Sequence, residues 1–205
     1  MRPALAALLL SLAGQAGTAS AAALDFRETA WAAAARPLGI DPALLYAVAL
    51  TESRRTLGPG RYAPWPWVIR TPTGGYWFNS RAAARRGLEA VRAKWPAKRI
   101  DVGAAQVNLG WHRERIGEPE RLLDLAYNLR VAARILADAV RSTRDPVLGV
   151  GRYHHWSEDD RARSYGQRVW DNYRAVTFGT SDPAARFLVA ADHELAPVLT
   201  RLAER

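Results

Sequence analysis

The chain of 205 residues contains no cysteine. That removes disulfides, thiolate nucleophiles, cysteine-held metals and lipid attachment through a cysteine, so the fold must rest on a packed core alone. Histidine is scarce, with four in all. There is no His-Glu-x-x-His, the pair His154-His155 has no evident third ligand, and His193-Glu194 lacks a second histidine. No metal site is expected, and no cofactor is called for. The apolar stretch Ala4 to Ala13 is too short to span a bilayer, and no second membrane segment follows it. Internal repeats and low-complexity linkers are also absent.

The apolar stretch follows Arg2 and precedes the small residues of "TASAAA". This is the layout of a secretory signal peptide, cut near Ala21-Ala22-Ala23 and ahead of Leu24; an uncut N-terminal anchor is the alternative. Residues 1–23 are read as that leader, which implies a periplasmic protein with no stable membrane anchor once the leader is gone. Roughly 180 residues remain, enough for a single domain with a real core. The formal net charge is +9, and +8 once Arg2 leaves with the leader. The arginines are scattered rather than gathered into an arm, so an anionic envelope polymer is a better match than nucleic acid.

Helical periodicity dominates the rest. Segments run from about Phe26 to Arg36, from Asp41-Pro42 onward, and from Ser80 with Ala84, Leu88, Val91 and Trp95 on one face. Further segments stripe Leu125, Leu129, Ala132 and Leu136 around Asn128, start again at Asp145-Pro146, and set Tyr165, Val169 and Tyr173 at i, i+4 and i+8. One small β element is expected, a hairpin over Trp67 to Phe78 turning at Gly74-Gly75. Residues 24–180 form the predicted domain. A tail, 181–205, carries Leu188, Ala191, Leu195, Val198 and Leu202 in a further amphipathic helix after Ser181-Asp182-Pro183.

The stretch "ALLYAVALTESRR", Ala43 to Arg55, poses the chemical question. Leu45, Val48, Ala49 and Glu52 fall at i, i+3, i+4 and i+7, so Glu52 continues the apolar stripe. A carboxyl facing a core or cleft at the negative end of a helix dipole is disfavoured as an anion, which suits a general acid. The alternative is an outward turn that pairs Glu52 with Arg54 or Arg55.

Two later stretches bear on that choice, "DVGAAQVN" from Asp101 to Asn108 and "VGRYHHW" from Val150 to Trp156. In order and spacing, Glu52-Ser53, Gly103, Gln106, Asn108, Asn128 and Tyr153 resemble the motifs of the soluble lytic transglycosylase family. The resemblance covers roughly Leu24 to Phe178 and implies a mainly α, goose-type-lysozyme-like domain that cleaves peptidoglycan between N-acetylmuramic acid and N-acetylglucosamine. Within the family it is most similar to small exported members tied to conjugation and secretion machineries, which also carry a segment like Trp65-Pro66-Trp67. It implies that Glu52 is the single catalytic acid and base, with glycan strands as the partner alongside a secretion or conjugation apparatus. Ser53, Gln106, Asn108 and His154 would contact substrate, and Tyr153 would hydrogen-bond the Glu52 carboxyl group. Gly103, Asn128 and Tyr165 would support the site.

This chain departs from the family pattern at Ala104-Ala105, where Leu-Met is usual, and at His154, where Asn is usual. Gln106 and Asn108 also read as turn-stabilising amides, and Tyr153 as a core aromatic. Asp101 could supply a second carboxylate, so a lysozyme-like hydrolase stays open, as does a non-catalytic peptidoglycan-binding adaptor of a secretion machine. Aromatic faces such as Trp67, Tyr76, Trp77 and Trp111 can stack on sugar rings.

Overall fold

The computed structural model describes residues 24–180 and 185–188. The predicted leader lies outside them, as do Ser181, Asp182, Pro183 and all of the predicted tail helix beyond Leu188. Six α-helices occur among the described residues: α1 (Ala30–Ala35), α2 (Pro42–Ser53), α3 (Arg81–Arg92), α4 (Leu125–Arg141), α5 (Pro146–Gly151) and α6 (Asp159–Phe178). Seven short strands accompany them: β1 (Arg54–Gly58), β2 (Arg61–Pro64), β3 (Val68–Thr71), β4 (Gly74–Trp77), β5 (Asp101–Val102), β6 (Val107–Asn108) and β7 (Arg186–Phe187). The protein is mainly α with a small β portion, and no single described helix is long and apolar enough to cross a membrane.

Local chemistry starts the helices where the sequence predicts. Asp41 accepts the Ala43 N–H and Pro42 occupies the first turn of α2. Ser80 caps α3, Asp124 caps α4, and Asp145 takes the Val147 and Leu148 N–H groups to open α5. The first helix is shorter than the predicted Phe26–Arg36, because the Thr29 hydroxyl donates to the Phe26 carbonyl and accepts the Ala32 N–H, fixing the start at Ala30.

α2 is the centre of the domain. Every residue from Ala43 to Leu50 is buried, so the helix has no solvent face, and the one-face stripe understates its burial. α6, α1 and α4 pack around it. α5 and α6 approach each other through two glycines: a Cβ at Gly151 would overlap the Ala162 carbonyl, and one at Gly166 would overlap that of Val147. That closeness brings the turn after α5 against the first half of α6.

Two small sheets replace the single expected β element. In one, β1 pairs antiparallel with β2, and β2 pairs parallel with β7. The β1–β2 hairpin has arms rich in arginine and poor in β-branched residues, which hid it in the sequence. Tertiary contacts hold it: the Trp65 N–H donates to the Ser53 carbonyl (3.1 Å) and hydroxyl (3.0 Å), and the guanidinium of Arg55 lies over the Trp65 ring. Leu188, first in the predicted tail helix, follows β7 in extended chain. Its N–H donates to the Tyr62 carbonyl and its own carbonyl accepts the Tyr46 hydroxyl.

The other sheet runs β4-β3-β5-β6, antiparallel throughout. The predicted hairpin is its β3–β4 pair, but the turn is Pro72-Thr73, not Gly74-Gly75, which open β4 opposite Thr71 and Arg70. Pro72 presets the turn backbone and Thr71 accepts the Thr73 N–H, while Gly74, at a φ of 130°, lets the chain leave the turn into β4. The motif Asp101 to Asn108 is the β5–β6 hairpin, docked on β3 with Asp101 opposite Arg70.

Gly151→Ala should cost about 1–3 kcal/mol, because α5 and α6 must separate to admit a methyl group. Equilibrium urea denaturation reads this; an unchanged midpoint would mean that the two helices do not set each other's position.

Candidate functional site

Glu52 sits in the last turn of α2 and is only 5% exposed. Its Oε1 accepts the Tyr165 hydroxyl at 2.7 Å and lies 3.2 Å from His154 Nδ1. Oε2 takes no hydrogen bond from any described residue. Neither Arg54 nor Arg55 pairs with the carboxylate, so the outward-turned alternative is not what forms. Arg70 reaches the same helix end from β3 and donates to the Glu52 carbonyl at 3.3 Å, a cation on the negative end of the helix dipole.

The phenol on the carboxylate is Tyr165 from α6, not Tyr153. Tyr153 donates instead to the Ala105 carbonyl at 2.7 Å, where it ties the turn after α5 to the β5–β6 hairpin. Both hydroxyls are buried and held well above the usual phenol range, chiefly by desolvation and then by the Glu52 charge, so both remain O–H donors. The exchange follows from direction: the Tyr153 ring enters under the hairpin, while α6 lies alongside α2 and aims Tyr165 at its end.

Ser53, expected to contact substrate, has its hydroxyl taken up by partners within the protein. Its hydroxyl lies 2.6 Å from the Ala104 carbonyl and 3.0 Å from that of Ala49, and it accepts the Trp65 N–H, all fully buried. It joins α2 to both hairpins. Asn128 acts in the same way from α4: Oδ1 accepts the Ala105 N–H at 2.9 Å, and Nδ2 donates to the carbonyls of Val102 (2.9 Å) and Leu122 (3.2 Å). Gly103 makes room for that amide. A Cβ there would overlap it, and the Gly103 φ of 85° already disfavours a side chain.

A groove of about 1030 Å³ opens beside this corner. Asp101, Gln106, Asn108, Tyr153 and His154 line it, whereas Glu52 lies behind His154, outside the lining. Gln106, at a positive φ of 47°, donates through Nε2 to the Gly103 and Val68 carbonyls, which leaves its buried Oε1 with no partner. Asn108 is fully engaged: its Oδ1 accepts the N–H groups of Gly110 and Trp111 in its own turn, and its Nδ2 donates to the Lys98 carbonyl and to Asp101. Of the aromatic candidates, Trp111 lines the groove. Trp67, Tyr76 and Trp77 do not, and Trp156, which the sequence shows only as the edge of a motif, does.

The titratable groups here act on one another. His154 stacks parallel to the Tyr165 ring, 5.0 Å between centroids, and meets His155 edge-on. Its proton affinity is raised, first by the hydrogen bond to Glu52, with burial opposing. His155, without a carboxylate partner, is shifted down by burial. The carboxyl group of Asp101 is pushed up, mainly by burial; the Asn108 amide at 2.7 Å opposes this and the charge of Glu52 adds to it. No group of three or more His, Asp or Glu that could hold a metal ion occurs among the described residues. The arrangement offers a buried carboxyl group just behind the groove lining, with one oxygen clamped and the other unbonded, a phenol and an imidazole bearing on it, and a second carboxyl in the adjoining groove.

The chain matches no protein-family model, no curated protein and no solved structure.

Because His154 binds its proton more tightly in the folded state, its contact with Glu52 adds stability that is fully present below the free histidine value of about 6.5. That contribution disappears as pH rises through the raised folded value. The stability margin of wild type over His154→Asn should therefore shrink as pH rises above about 6.5. Thermal melts across that range read it, and a constant margin would show that the pair does not share a proton.

Proposed function

We propose that the protein is a peptidoglycan lytic transglycosylase with a lysozyme-like catalytic domain, acting in the periplasm to open the wall locally for a secretion or conjugation machine. The observation that carries this reading is the buried Glu52, with Oε1 held by Tyr165 and His154 and Oε2 left over for proton transfer. Further support comes from the chain order of Glu52-Ser53, the Gly103–Gln106 turn, Asn128 and Tyr153, the motifs of the resemblance. These residues converge on one corner beside a groove large enough for several sugar rings.

In this mechanism Glu52 protonates the oxygen of the β-1,4 bond between N-acetylmuramic acid and N-acetylglucosamine. The N-acetylglucosamine side leaves as an alcohol. The 6-hydroxyl of the same muramoyl ring then bonds to its anomeric carbon and returns its proton to Glu52, giving a 1,6-anhydro end and regenerating the acid. The attacking group is carried by the substrate, so the effective concentration of the nucleophile is high and no water needs activating. The Oε1 of Gln106 is an unpaired acceptor buried just behind the groove lining, and a side-chain rotation that exposes it would let it take an N-acetyl N–H.

One observation favours a second reading. Asp101 lines the groove and its carboxyl group feels the charge of Glu52, as a second catalytic carboxylate would. On that reading the protein is a lysozyme-like hydrolase that recruits water.

Glu52→Gln should lower the release of muropeptides from purified sacculi by about 10²–10⁴-fold with little change in melting temperature. Tyr165→Phe should cost about 10-fold in turnover and also lower stability, because it takes a donor from the buried Glu52 carboxyl group, whereas Tyr153→Phe, which strands the Ala105 carbonyl, should act mainly on stability. Full activity in Glu52→Gln would end the proposal.

A further inference from the structure

Two tryptophans in the groove are exposed, Trp111 at 67% and Trp156 at 56%. Large apolar rings left in water inside a concave surface call for an explanation that scattered surface aromatics do not. Trp111 is also firmly mounted. Asn108 Oδ1 accepts the N–H groups of both Gly110 and Trp111 at 2.9 Å, and its Nδ2 donates to the Lys98 carbonyl at 3.1 Å and to Asp101 at 2.7 Å. Gly110 lies so close to Lys98 that a Cβ would overlap its backbone, and the Lys98 ammonium rests 4.2 Å from the Trp111 ring centroid. The ammonium occupies one indole face. The other has no aromatic or cationic partner among the described residues. Trp156 stands in the bend between His154 and α6, likewise without a ring partner there.

We propose that Trp111 and Trp156 are stacking platforms for the pyranose rings of a β-linked N-acetylhexosamine polymer, with Asn108 as the positioning residue that holds Trp111. The proposal rests on the reading of the groove as a glycan site. The C–H-lined face of a pyranose is flat and apolar enough to cover an indole, and a ring already fixed by its neighbours loses little freedom on binding. One platform comes from the β6 turn that shares Asn108 with Asp101. The other comes from the turn that carries His154. A strand lying on both would therefore pass beside the His154–Glu52 corner.

The probe is the β-1,4-linked tetramer of N-acetylglucosamine, titrated into the full chain carrying Glu52→Gln and followed by tryptophan fluorescence and calorimetry. Trp111→Ala and Trp156→Ala should each weaken binding about 2- to 10-fold, and Trp111→Tyr should retain most of the affinity. Asn108→Ala should weaken binding as Trp111→Ala does, and the two together should lose no more than Trp111→Ala alone. Failure of the parent to bind the tetramer at millimolar concentration, or unchanged affinity in both alanine variants, overturns the proposal. Sacculus cleavage by the wild type separates the two readings. Cleavage with tryptophan-independent binding removes the platforms and leaves the lyase, whereas tryptophan-dependent binding without cleavage removes the lyase and leaves the platforms.

Discussion

The 2.7 Å hydrogen bond from the Tyr165 hydroxyl to Glu52 joins the last turn of α2 to the first half of α6, deep in the domain. A carboxyl group buried without partners is heavily penalised, so the donor that α6 brings, with His154 beside it, helps the end of α2 stay in the interior. α6 in turn lies where it does because Gly151 and Gly166 let α5 press against it. The same contact sets the turn after α5, and with it His154 on the face of the Tyr165 ring and beside Glu52. The hydrogen bond and the α5–α6 contact together set the carboxyl group, its imidazole neighbour and the wall of the groove.

A second group of buried polar side chains holds the β5–β6 hairpin against that corner. Ser53 from α2, Asn128 from α4 and Tyr153 from the turn after α5 all bond to the backbone of residues 102–105. None of the three offers an atom to a ligand; each satisfies carbonyl or amide groups that the tight turn would otherwise bury unpaired. Ala104 and Ala105 are fully buried in this turn, and the small side chains let the neighbouring elements close over it. The carboxyl group of Asp101 lines the groove beside this turn, and the Oε1 of Gln106 stays buried and unpaired behind the lining.

Much of this was legible in the sequence where local chemistry decides. Asp41-Pro42, Ser80 and Asp145-Pro146 start helices because the cap and the proline act within a few residues. The apolar run pointed Glu52 inward, but its spacing equally allowed an outward pairing with Arg54 or Arg55, and only the packing of α2 decides for burial. The partner of that carboxyl was not legible, since Tyr153 and Tyr165 differ only in which way each enters the core, and that depends on helix packing. The β1–β2 hairpin was hidden for a similar reason. Its arms have weak strand propensity, and its pairing depends on Ser53, Trp65 and β7, which are distant in sequence or fixed by other elements. The turn centres on Pro72-Thr73, where threonine hydroxyls bond across it, and Gly74 serves at its exit through a positive φ.

The central claim is that a single carboxyl group, Glu52, suffices because the substrate brings its own nucleophile. Cleavage of sacculi in heavy-oxygen water, with mass spectrometry of the released muropeptides, tests it directly. The account predicts 1,6-anhydromuramoyl ends that carry no label, since the new bond is made by the muramoyl 6-hydroxyl. Reducing ends carrying one heavy oxygen per cut would contradict it and would show that water, not the sugar, is the nucleophile in this groove.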